Sequence, residues 1–580
     1  MILQALVKYY EALVAKGVLA RPGWNAVKVS YALRIDEEGK LLQVLPYKQE
    51  VMRGKKQVWI PREMNLPAPF KRSVGITPNF LCDNSSYILG IDQKGKPERT
   101  RECFAASRAF HEKILAEADS PMAKGILAFF RTWDPEQAAQ HPELAEVWDE
   151  IQDNANLTFQ MDLTLASEDT EIQEAWQRYY DGGEGDQVEM PCLVTGKRAP
   201  VARLHPNLKG VRGAQSVGAS LISFNAPSYE SYGKEQGLNA PVSEYAAFAY
   251  GAALNYLLSQ PERTQIIGDA TVVSWAEDGD EGKQDLFAGL FAGSGENTPM
   301  TETELTGLLS RLAGGLPIDW NGIMVEPSNR YYILGLAPNA ARASVRFFLQ
   351  SDFQTLAKHL KAHYERLEIV RPSWDRWKDI SLNRLLMETV NPNAREKTPS
   401  PEMAGELMRS ILSGTRYPTT LYMNTMLRIR AERQINRGKA AIIKAFLLKN
   451  YEEKYQGVNM VGLNTERTDT SYVLGRLFSV LEAIQQEANP GINATIRDKY
   501  FSSACETPAK IYPVLLKLAD SHLKKIRTRV STYIFFNNQL LDLLGRVKQF
   551  PIHVTLEEQG DFLLGYYHQT QERYTKKEEK

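Results

Sequence analysis

Two short segments of the sequence are close enough to catalytic motifs to need testing. The segment GAQSVGAS (213–220) follows the phosphate-binding pattern G-x-x-x-x-G-K-[ST], but Ala219 replaces the lysine that reaches the β- and γ-phosphates. The overlapping AQSVG (214–218) approaches the nucleophile elbow G-x-S-x-G, with Ser216 as the nucleophile. That elbow requires an apolar strand before the serine, whereas the preceding HPNLKGVRG is polar and basic. Both patterns therefore argue against an NTPase and against an α/β-hydrolase.

Residues that bind metals are too scattered along the chain to predict a metal centre. HLKAH (359–363) places two histidines one helical turn apart, but Leu360 stands where zinc proteases have a glutamate. The four cysteines contain no CxxC pair, so neither a structural zinc site nor a disulfide framework is expected, and a reducing compartment fits. Cys192 is expected to be buried rather than reactive. We expect no metal, no cofactor and no catalytic residue, and therefore a protein that is not an enzyme.

Two enzymatic alternatives stay open at this point. One is a serine hydrolase in which Ser216 is joined by His205 and Asp269, although nothing in the sequence brings the three together. The other is a metal-dependent nuclease, which needs clustered carboxylates. Its candidates are Asp83, Asp92 and Asp269, and these are widely dispersed.

Positive charge is concentrated in four segments, although the chain has a formal net charge of only −1. Basic residues cluster in 53–72 and in 195–213, and the second cluster runs into the glycine-rich stretch GVRGAQSVGASLISFNAPSYESYGKEQG (210–237). The other two segments are a predicted helix over 422–451 and the stretch 508–549, where eight basic residues accompany two acidic ones. Such patches are the electrostatic footprint of nucleic-acid binding, with an ordinary solvated surface as the alternative.

Two loops combine cations with amide side chains and are the leading candidates for contact with DNA. Glycine lets a backbone approach a ligand closely, and free N–H groups can contact phosphates. Lysine and arginine would mainly hold phosphates, whereas asparagine and glutamine can pair with base edges. The first loop carries Lys71, Arg72, Asn79 and Asn84, and the second carries Lys209, Arg212, Gln215, Ser216, Asn225, Lys234 and Gln236. The alternative for the three asparagines is that each caps a turn.

The helical part of the sequence supplies further candidates for contact with nucleic acid. At 100° per residue, four cations of the predicted helix 422–451 fall within about a 60° arc, opposite a set of apolar residues. These four are Arg430, Arg433, Arg437 and Lys444, and the last basic stretch adds Lys524, Lys525 and Arg527. Taken alone, the stripe on the helix also fits an ordinary solvated helix face.

The order of strand-like and helix-like segments predicts an α+β protein. Short β-branched and aromatic runs such as KVSYALRID (28–36) mix with helices at first, whereas the pattern after about residue 340 is almost entirely helical. We predict a mixed N-terminal part with several small sheets, then a helical part ending in a small bundle. The predicted domains are 1–345, 346–459 with the basic helix, and 460–580. No run of about 18 apolar residues predicts a transmembrane helix, and we expect a cytoplasmic protein.

Several of these segments together carry a family resemblance. The block from CLVTGKRAP to SEYAAFAY (192–250) resembles the signature block of the large subunit of the type I-C CRISPR surveillance complex, Cascade. GITPNFLCDNSSYILG (75–90), IGDATVVSWAE (267–277) and YYILGLAPNAARASVRFF (331–348) are similar to other blocks of that family. The resemblance extends over essentially the whole chain.

The resemblance implies a non-catalytic role in RNA-guided recognition of DNA. The guide RNA would read the target by base pairing, while this subunit would recognise the short protospacer-adjacent motif (PAM) on duplex DNA and aid unwinding. The implied partners are a crRNA-containing Cascade with its backbone, crRNA-processing and small subunits, the double-stranded target, the displaced non-target strand, and a helicase-nuclease. No membrane is implied. The family also suggests that a small subunit is translated separately from an internal start, for which Met460 is the candidate.

Overall fold

A computed structural model describes residues 1–53, 56–70, 75–92, 97–182, 188–292, 300–375 and 380–574 of the 580-residue chain. The chain forms two compact units. Unit 1 contains Met1–Tyr9, His205–Ser223 and Ala253–Lys580, and unit 2 contains Tyr10–Leu204 and Phe224–Ala252. The glycine-rich stretch 210–237 is therefore divided between the two units.

All strands of the described residues lie before residue 353. They are β1 (Trp24–Val29), β2 (Tyr31–Ile35), β3 (Leu41–Pro46), β4 (Lys48–Arg53), β5 (Lys56–Pro67), β6 (Asp83–Asn84), β7 (Asn156–Met161), β8 (Thr164–Leu165), β9 (Glu189–Pro191), β10 (Arg198–Pro200), β11 (Asn207–Leu208), β12 (Ala219–Ser220), β13 (Gln265–Ile267), β14 (Ala270–Ala276), β15 (Ile318–Trp320), β16 (Ile323–Val325), β17 (Arg330–Asn339) and β18 (Arg342–Asp352).

The helices become longer and more frequent toward the C-terminus. They are α1 (Ile2–Ala15), α2 (Ser85–Ile88), α3 (Pro97–Ile114), α4 (Pro121–Thr132), α5 (Trp148–Gln152), α6 (Thr170–Gly182), α7 (Glu244–Leu258), α8 (Glu281–Ala292), α9 (Glu302–Ala313), α10 (Phe353–Leu367), α11 (Leu382–Met387), α12 (Pro401–Ser413), α13 (Thr419–Glu432), α14 (Arg437–Asn450), α15 (Glu452–Tyr455), α16 (Thr470–Ala488), α17 (Ile496–Glu506), α18 (Pro508–Ile526), α19 (Val530–Gly545) and α20 (Leu556–Tyr574).

Unit 2 is built on small sheets. Its five-stranded sheet has the order β3-β2-β7-β6, with β8 paired to β7, and β2 runs parallel to β7. A three-stranded sheet has the order β1-β5-β4, and β9 pairs with β10. The core beside these sheets is rich in aromatic rings, and Phe80 stacks on Trp176 with ring centroids 5.3 Å apart. Helix α4 shows why such a segment folds: Ser120 caps it, Pro121 begins it, and its apolar side chains face the core.

Unit 1 combines one larger sheet with the long helices of the C-terminal part. The sheet has six strands in the order β11-β12-β18-β17-β14-β13, and β15 pairs separately with β16. One continuous apolar core runs from the sheet into the helices of the C-terminal part.

The predicted α+β organisation, with small sheets followed by a helical part, is confirmed. The two compact units divide the chain differently from the predicted domains 1–345, 346–459 and 460–580, which stay a prediction. None of the described helices combines the length and apolarity needed to cross a bilayer.

The single helix predicted over 422–451 is wrong, because the chain forms two helices there. Helix α13 ends at Glu432, and Arg433 takes a left-handed conformation with φ 55°. Helix α14 begins at Arg437, where the Asn436 side chain accepts a hydrogen bond from Lys439 N at 2.9 Å. An asparagine cap stabilises a new helix start, and it interrupts the periodicity that the sequence suggests. The predicted cationic stripe is therefore not continuous.

Two cations of that stripe are buried in unit 1. Arg437 is 3% exposed, and its Nη1 lies 3.1 Å from Asp375 Oδ2, which also pairs with Arg384 at 2.9 Å. Lys444 is 2% exposed and donates hydrogen bonds to the carbonyl oxygens of Glu365 and Glu368, at the end of α10. Both side chains serve internal packing, so neither is available to nucleic acid.

Helices α16 and α20 cross with their backbones in direct contact. A Cβ atom placed on Gly475 would overlap the carbonyl oxygen of Phe562, and one on Gly565 would overlap that of Tyr472. Polar side chains join the same two helices, including Glu482, which accepts a hydrogen bond from Tyr566 Oη at 2.6 Å. This close crossing depends on the absence of side chains at both glycines.

Replacing Gly475 with alanine should destabilise unit 1 even though alanine favours helices. The added methyl group has no space, and overpacking of this kind typically costs about 1–3 kcal/mol. We expect the Gly475→Ala protein to melt several degrees below wild type in a thermal denaturation experiment. Gly545→Ala is the matched control, because a Cβ on Gly545 meets no atom within 4 Å. Equal melting temperatures for wild type and Gly475→Ala would contradict the close crossing.

Lys444 should make stability depend on pH. Burial lowers the pKa of Lys444 from 10.5 to about 8. Between these values the unfolded lysine is protonated and the folded one is neutral, so folding releases a proton and stability rises with pH. The melting temperature of wild type minus that of Lys444→Met should therefore increase from pH 7.5 to pH 9.5. The same difference at both pH values would contradict the burial of this ammonium group.

Candidate nucleic-acid interface

The part of the glycine-rich stretch that lies in unit 1 is a loop anchored at both ends on the six-stranded sheet. Strands β11 and β12 pair antiparallel at one edge of the sheet, and β12 pairs in parallel with β18 through Ser220 and Arg342. Leu208 and Ala219, which face each other in this pairing, are completely buried. We call residues 209–218 between these strands the unit 1 loop. Because a strand follows it rather than a helix, the phosphate-binding loop of an NTPase is excluded here.

The backbone of the unit 1 loop is held by the protein itself. Lys209 N donates to Asn255 Oδ1 at 2.8 Å, and Arg212 N donates to Thr271 Oγ1 at 2.9 Å. A Cβ on Gly218 would lie 2.7 Å from the carbonyl oxygen of Leu208. The glycine therefore permits contact with the protein's own backbone. The expectation of free N–H groups for phosphate is wrong at Lys209 and Arg212, because both groups are already used.

Four polar side chains of the unit 1 loop point outward, whereas Val211 is buried. Lys209, Arg212, Gln215 and Ser216 are all exposed. Gln215 and Ser216 lie in a turn closed by Gly218 N, which donates to Gln215 O at 2.9 Å. A fixed backbone thus presents two cations and two hydrogen-bonding side chains to solvent. These are the groups that hold phosphates and pair with base edges.

The first predicted loop, in unit 2, looks different. Lys71 and Arg72 lie outside the described residues. Asn79 is 8% exposed, and its Oδ1 accepts a hydrogen bond from Phe70 N at 3.0 Å. Asn84 Oδ1 accepts from Ser86 N at 3.1 Å and so caps α2. The side chains of Asn79 and Asn84 therefore stabilise local turns, which was the alternative to DNA contact. The local sequence CDNSS, rich in residues that cap turns, indicated this alternative for Asn84.

The remaining predicted residues of the second loop lie in unit 2, on residues 224–240. Asn225 is exposed, whereas Lys234 and Gln236 are half-buried. Gln236 Oε1 accepts a hydrogen bond from Arg203 Nε at 3.3 Å, and Arg203 also pairs with Glu235 at 3.2 Å. Sequence reasoning missed Tyr232, whose side chain is 100% exposed at the tip of this segment. Its signal was a tyrosine before glycine in the polar run SYGK.

Several cations of the helical part are engaged in ion pairs or hydrogen bonds. Arg430 pairs with Glu506 at 2.8 Å, Lys524 pairs with Asp520 at 2.7 Å, and Lys525 donates to Asn489 Oδ1 at 2.9 Å. Arg433 and Arg527 are exposed. Nearby acids reduce the local positive charge that the sequence suggests, so this surface is a weaker candidate than the unit 1 loop.

The catalytic alternatives gain no support from the described residues. Asp269 pairs with Arg346 at 2.6 Å, and His363 Nδ1 lies 2.7 Å from Tyr417 Oη in the core. No three His, Cys, Asp or Glu side chains come together as metal ligands in the described ranges.

Cys192 is 2% exposed, as predicted. Burial alone would raise the pKa of its thiol, but hydrogen bonds from Ser243 and Thr195 outweigh this effect and lower the pKa to about 7. The backbone N–H groups of Val194, Thr195 and Ser243 all donate to this sulfur, so the thiol is engaged within unit 2.

Comparison with known proteins gives one match that covers both units. Residues 6–574 match the sequence model of a family described as CRISPR-associated protein (Cas_Csd1). Comparison with curated proteins gives no match. The match agrees with the resemblance at the level of a CRISPR-associated protein of the Cascade type. With nearly its whole length matched, the chain belongs to the CRISPR-associated Cas_Csd1 family.

Proposed function

We propose that the chain is the large subunit of a type I-C Cascade. In this role it recognises the PAM on duplex DNA, aids unwinding, holds the displaced strand and supports recruitment of a helicase-nuclease. Membership of a CRISPR-associated family supports the setting. The observation that carries the DNA-binding role is the unit 1 loop, in which internal hydrogen bonds fix the backbone and four polar side chains face solvent.

The chemistry of the unit 1 loop fits a division of labour on duplex DNA. Lys209 and Arg212 hold phosphates, which gives affinity that falls with salt and does not depend on sequence. Gln215 and Ser216 follow them on the turn and pair with base edges, which gives preference for particular bases. Because the loop is already ordered, binding requires little loss of conformational entropy.

The proposed role is non-catalytic and depends on partners. The guide RNA reads the target by pairing, the backbone, crRNA-processing and small subunits hold that RNA, and the helicase-nuclease cuts. We place this assembly in the cytoplasm. A serine hydrolase or a metal-dependent nuclease stays the alternative, and pure protein that cleaves esters, or DNA with Mg²⁺ or Mn²⁺, would favour it.

Variants of the unit 1 loop should separate affinity from base preference. The probe is the duplex that the wild-type complex binds most tightly from a pool with randomised flanking bases, beside a duplex lacking that motif. Lys209→Ala with Arg212→Ala should weaken binding to both duplexes alike and reduce the salt slope by about two. Gln215→Ala should cost about 1–3 kcal/mol on the motif duplex only. Fluorescence anisotropy over a salt series measures both effects.

The control for these variants is Lys358→Ala, which removes an exposed lysine from α10 in the same unit. It should leave both affinities and the salt slope at wild-type values. If Gln215→Ala weakens the two duplexes equally, Gln215 does not read bases. If the double variant behaves like the control, the unit 1 loop is not the phosphate-binding surface.

We further propose that residues 460–580 are also made as a separate small subunit. Helices α16–α20 all lie within this segment, and the close crossing of α16 and α20 is internal to it. In the full chain Met460 is 1% exposed, and the Oη of Tyr455 donates a hydrogen bond to Asp561 at 2.8 Å. The shorter product lacks Tyr455 and would therefore lose this hydrogen bond.

Mass spectrometry of protein expressed from the intact gene should find a fragment beginning at Met460. Replacement of the Met460 codon by a leucine codon should abolish it, and absence of any such fragment from the intact gene would exclude the proposal.

A further inference from the structure

Unit 2 carries a tyrosine whose ring has no cover at all. Tyr232 is 100% exposed and stands at the tip of a two-residue turn. Lys234 N donates to Ser231 O at 3.0 Å and closes this turn. Tyr232 and Gly233 both have positive φ, 53° and 65°, as a type I′ turn requires. Asparagine or glycine normally occupies the first of these positions, and a bulky residue there is an outlier.

The turn is fixed by one buttressing side chain. Asn239 Nδ2 donates to the carbonyl oxygens of Lys234 at 2.8 Å and Gln236 at 3.0 Å. Asn239 Oδ1 accepts a hydrogen bond from Ser231 N at 2.9 Å. The bonds to Ser231 and Lys234 tie both ends of the turn to the short helix Gln236–Asn239 that follows it, and the bond to Gln236 lies within that helix. The tyrosine is therefore presented by an ordered backbone.

The same segment is mounted firmly on its neighbour in unit 2. Gly237 N donates to Arg203 O at 3.1 Å, and a Cβ on Gly237 would overlap the carbonyl oxygen of Ala202. The Arg203 side chain reaches Gln236 and neutralises Glu235. We call residues 228–239 the Tyr232 finger.

We propose that the ring of Tyr232 stacks on an unpaired nucleobase where the DNA duplex opens. This inference rests on the proposed function of the chain in DNA recognition. Strain retained at a position that suits asparagine better indicates that the ring itself is used. An aromatic ring held in advance in an extended position can enter a base step and unstack it.

The surroundings of the ring favour a base over a protein partner. Protein hot spots lie at the centre of well-packed apolar patches, whereas the turn neighbours of Tyr232 are Ser231, Gly233 and Lys234. Stacking on a base requires only one flat face and works best beside cations that hold the backbone. Lys234 lies at the base of the turn, where it can contact an adjacent phosphate.

Two substitutions test the ring without disturbing the turn. Tyr232→Asn creates the Asn-Gly pair that a type I′ turn prefers, so the melting temperature should equal or exceed that of wild type. Tyr232→Phe keeps the stacking face and removes the hydroxyl. Tyr574→Asn is the control, because it removes another mainly exposed ring, 65% exposed, from the end of α20.

In the first experiment the assembled guide-RNA complex binds the motif duplex, in which 2-aminopurine replaces each of the first target bases in turn, and the fluorescence of 2-aminopurine is measured. In the second experiment the same complex binds a single-stranded oligonucleotide, and its affinity is measured. Tyr232→Asn should reduce the fluorescence increase that reports unstacking, and weaken single-strand binding by about fivefold or more. Tyr232→Phe and the control should behave like wild type.

The outcomes separate this inference from the proposed function. If wild type and Tyr232→Asn both bind and open the duplex equally well, the stacking role is wrong while DNA recognition stands. If Tyr232→Asn melts normally but no longer joins the complex, Tyr232 contacts a protein subunit and the inference is overturned. If the wild-type complex does not bind the duplex, the proposed function and this inference fall together.

Discussion

Direct contact between two backbones at glycine is the constraint on which the main features of this chain depend. Helices α16 and α20 cross at Gly475, where any side chain would overlap Phe562 O. The unit 1 loop returns to its sheet at Gly218, against Leu208 O, and the Tyr232 finger is mounted through Gly237, against Ala202 O. In each case the missing Cβ lets hydrogen-bonded segments meet at a distance that no other residue permits. Glycine has more conformational freedom to lose on folding, so these positions depend on the packing around them.

Fixed backbones change what the exposed side chains can do. In the unit 1 loop the amides of Lys209 and Arg212 are used internally, so contact with a ligand passes to the side chains. In the Tyr232 finger the Asn239 amide forms hydrogen bonds with backbone groups of Ser231 and Lys234 and so fixes the turn. The exposed Tyr232 ring can then contact a partner. Both segments are ordered before binding, and such preorganisation lowers the entropic cost of recognition. Flexible loops with the same composition would bind more weakly.

Local patterns in the sequence predicted those structural features that depend on residues close together in the chain. The α+β organisation follows from the periodicity of apolar residues, and the turn-capping alternative for Asn84 follows from its residue type. The cap at Asn436 was missed, although asparagine is also a residue type that prefers this position. Interactions between distant segments were not predictable in this way. Arg437 is buried because Asp375, 62 positions earlier, neutralises it, and no helical projection contains that information. The contact of Gly218 with Leu208 O likewise appears only when the fold is known.

The central claim is that this subunit gives the complex its recognition of duplex DNA. The most direct measurement compares the assembled guide-RNA complex with and without the subunit, binding duplexes that carry or lack the selected motif across a salt series. The account predicts that adding the subunit produces motif-dependent binding with a steeper salt dependence, because cations then contact phosphates. Equal motif preference and equal salt dependence with and without the subunit would contradict it.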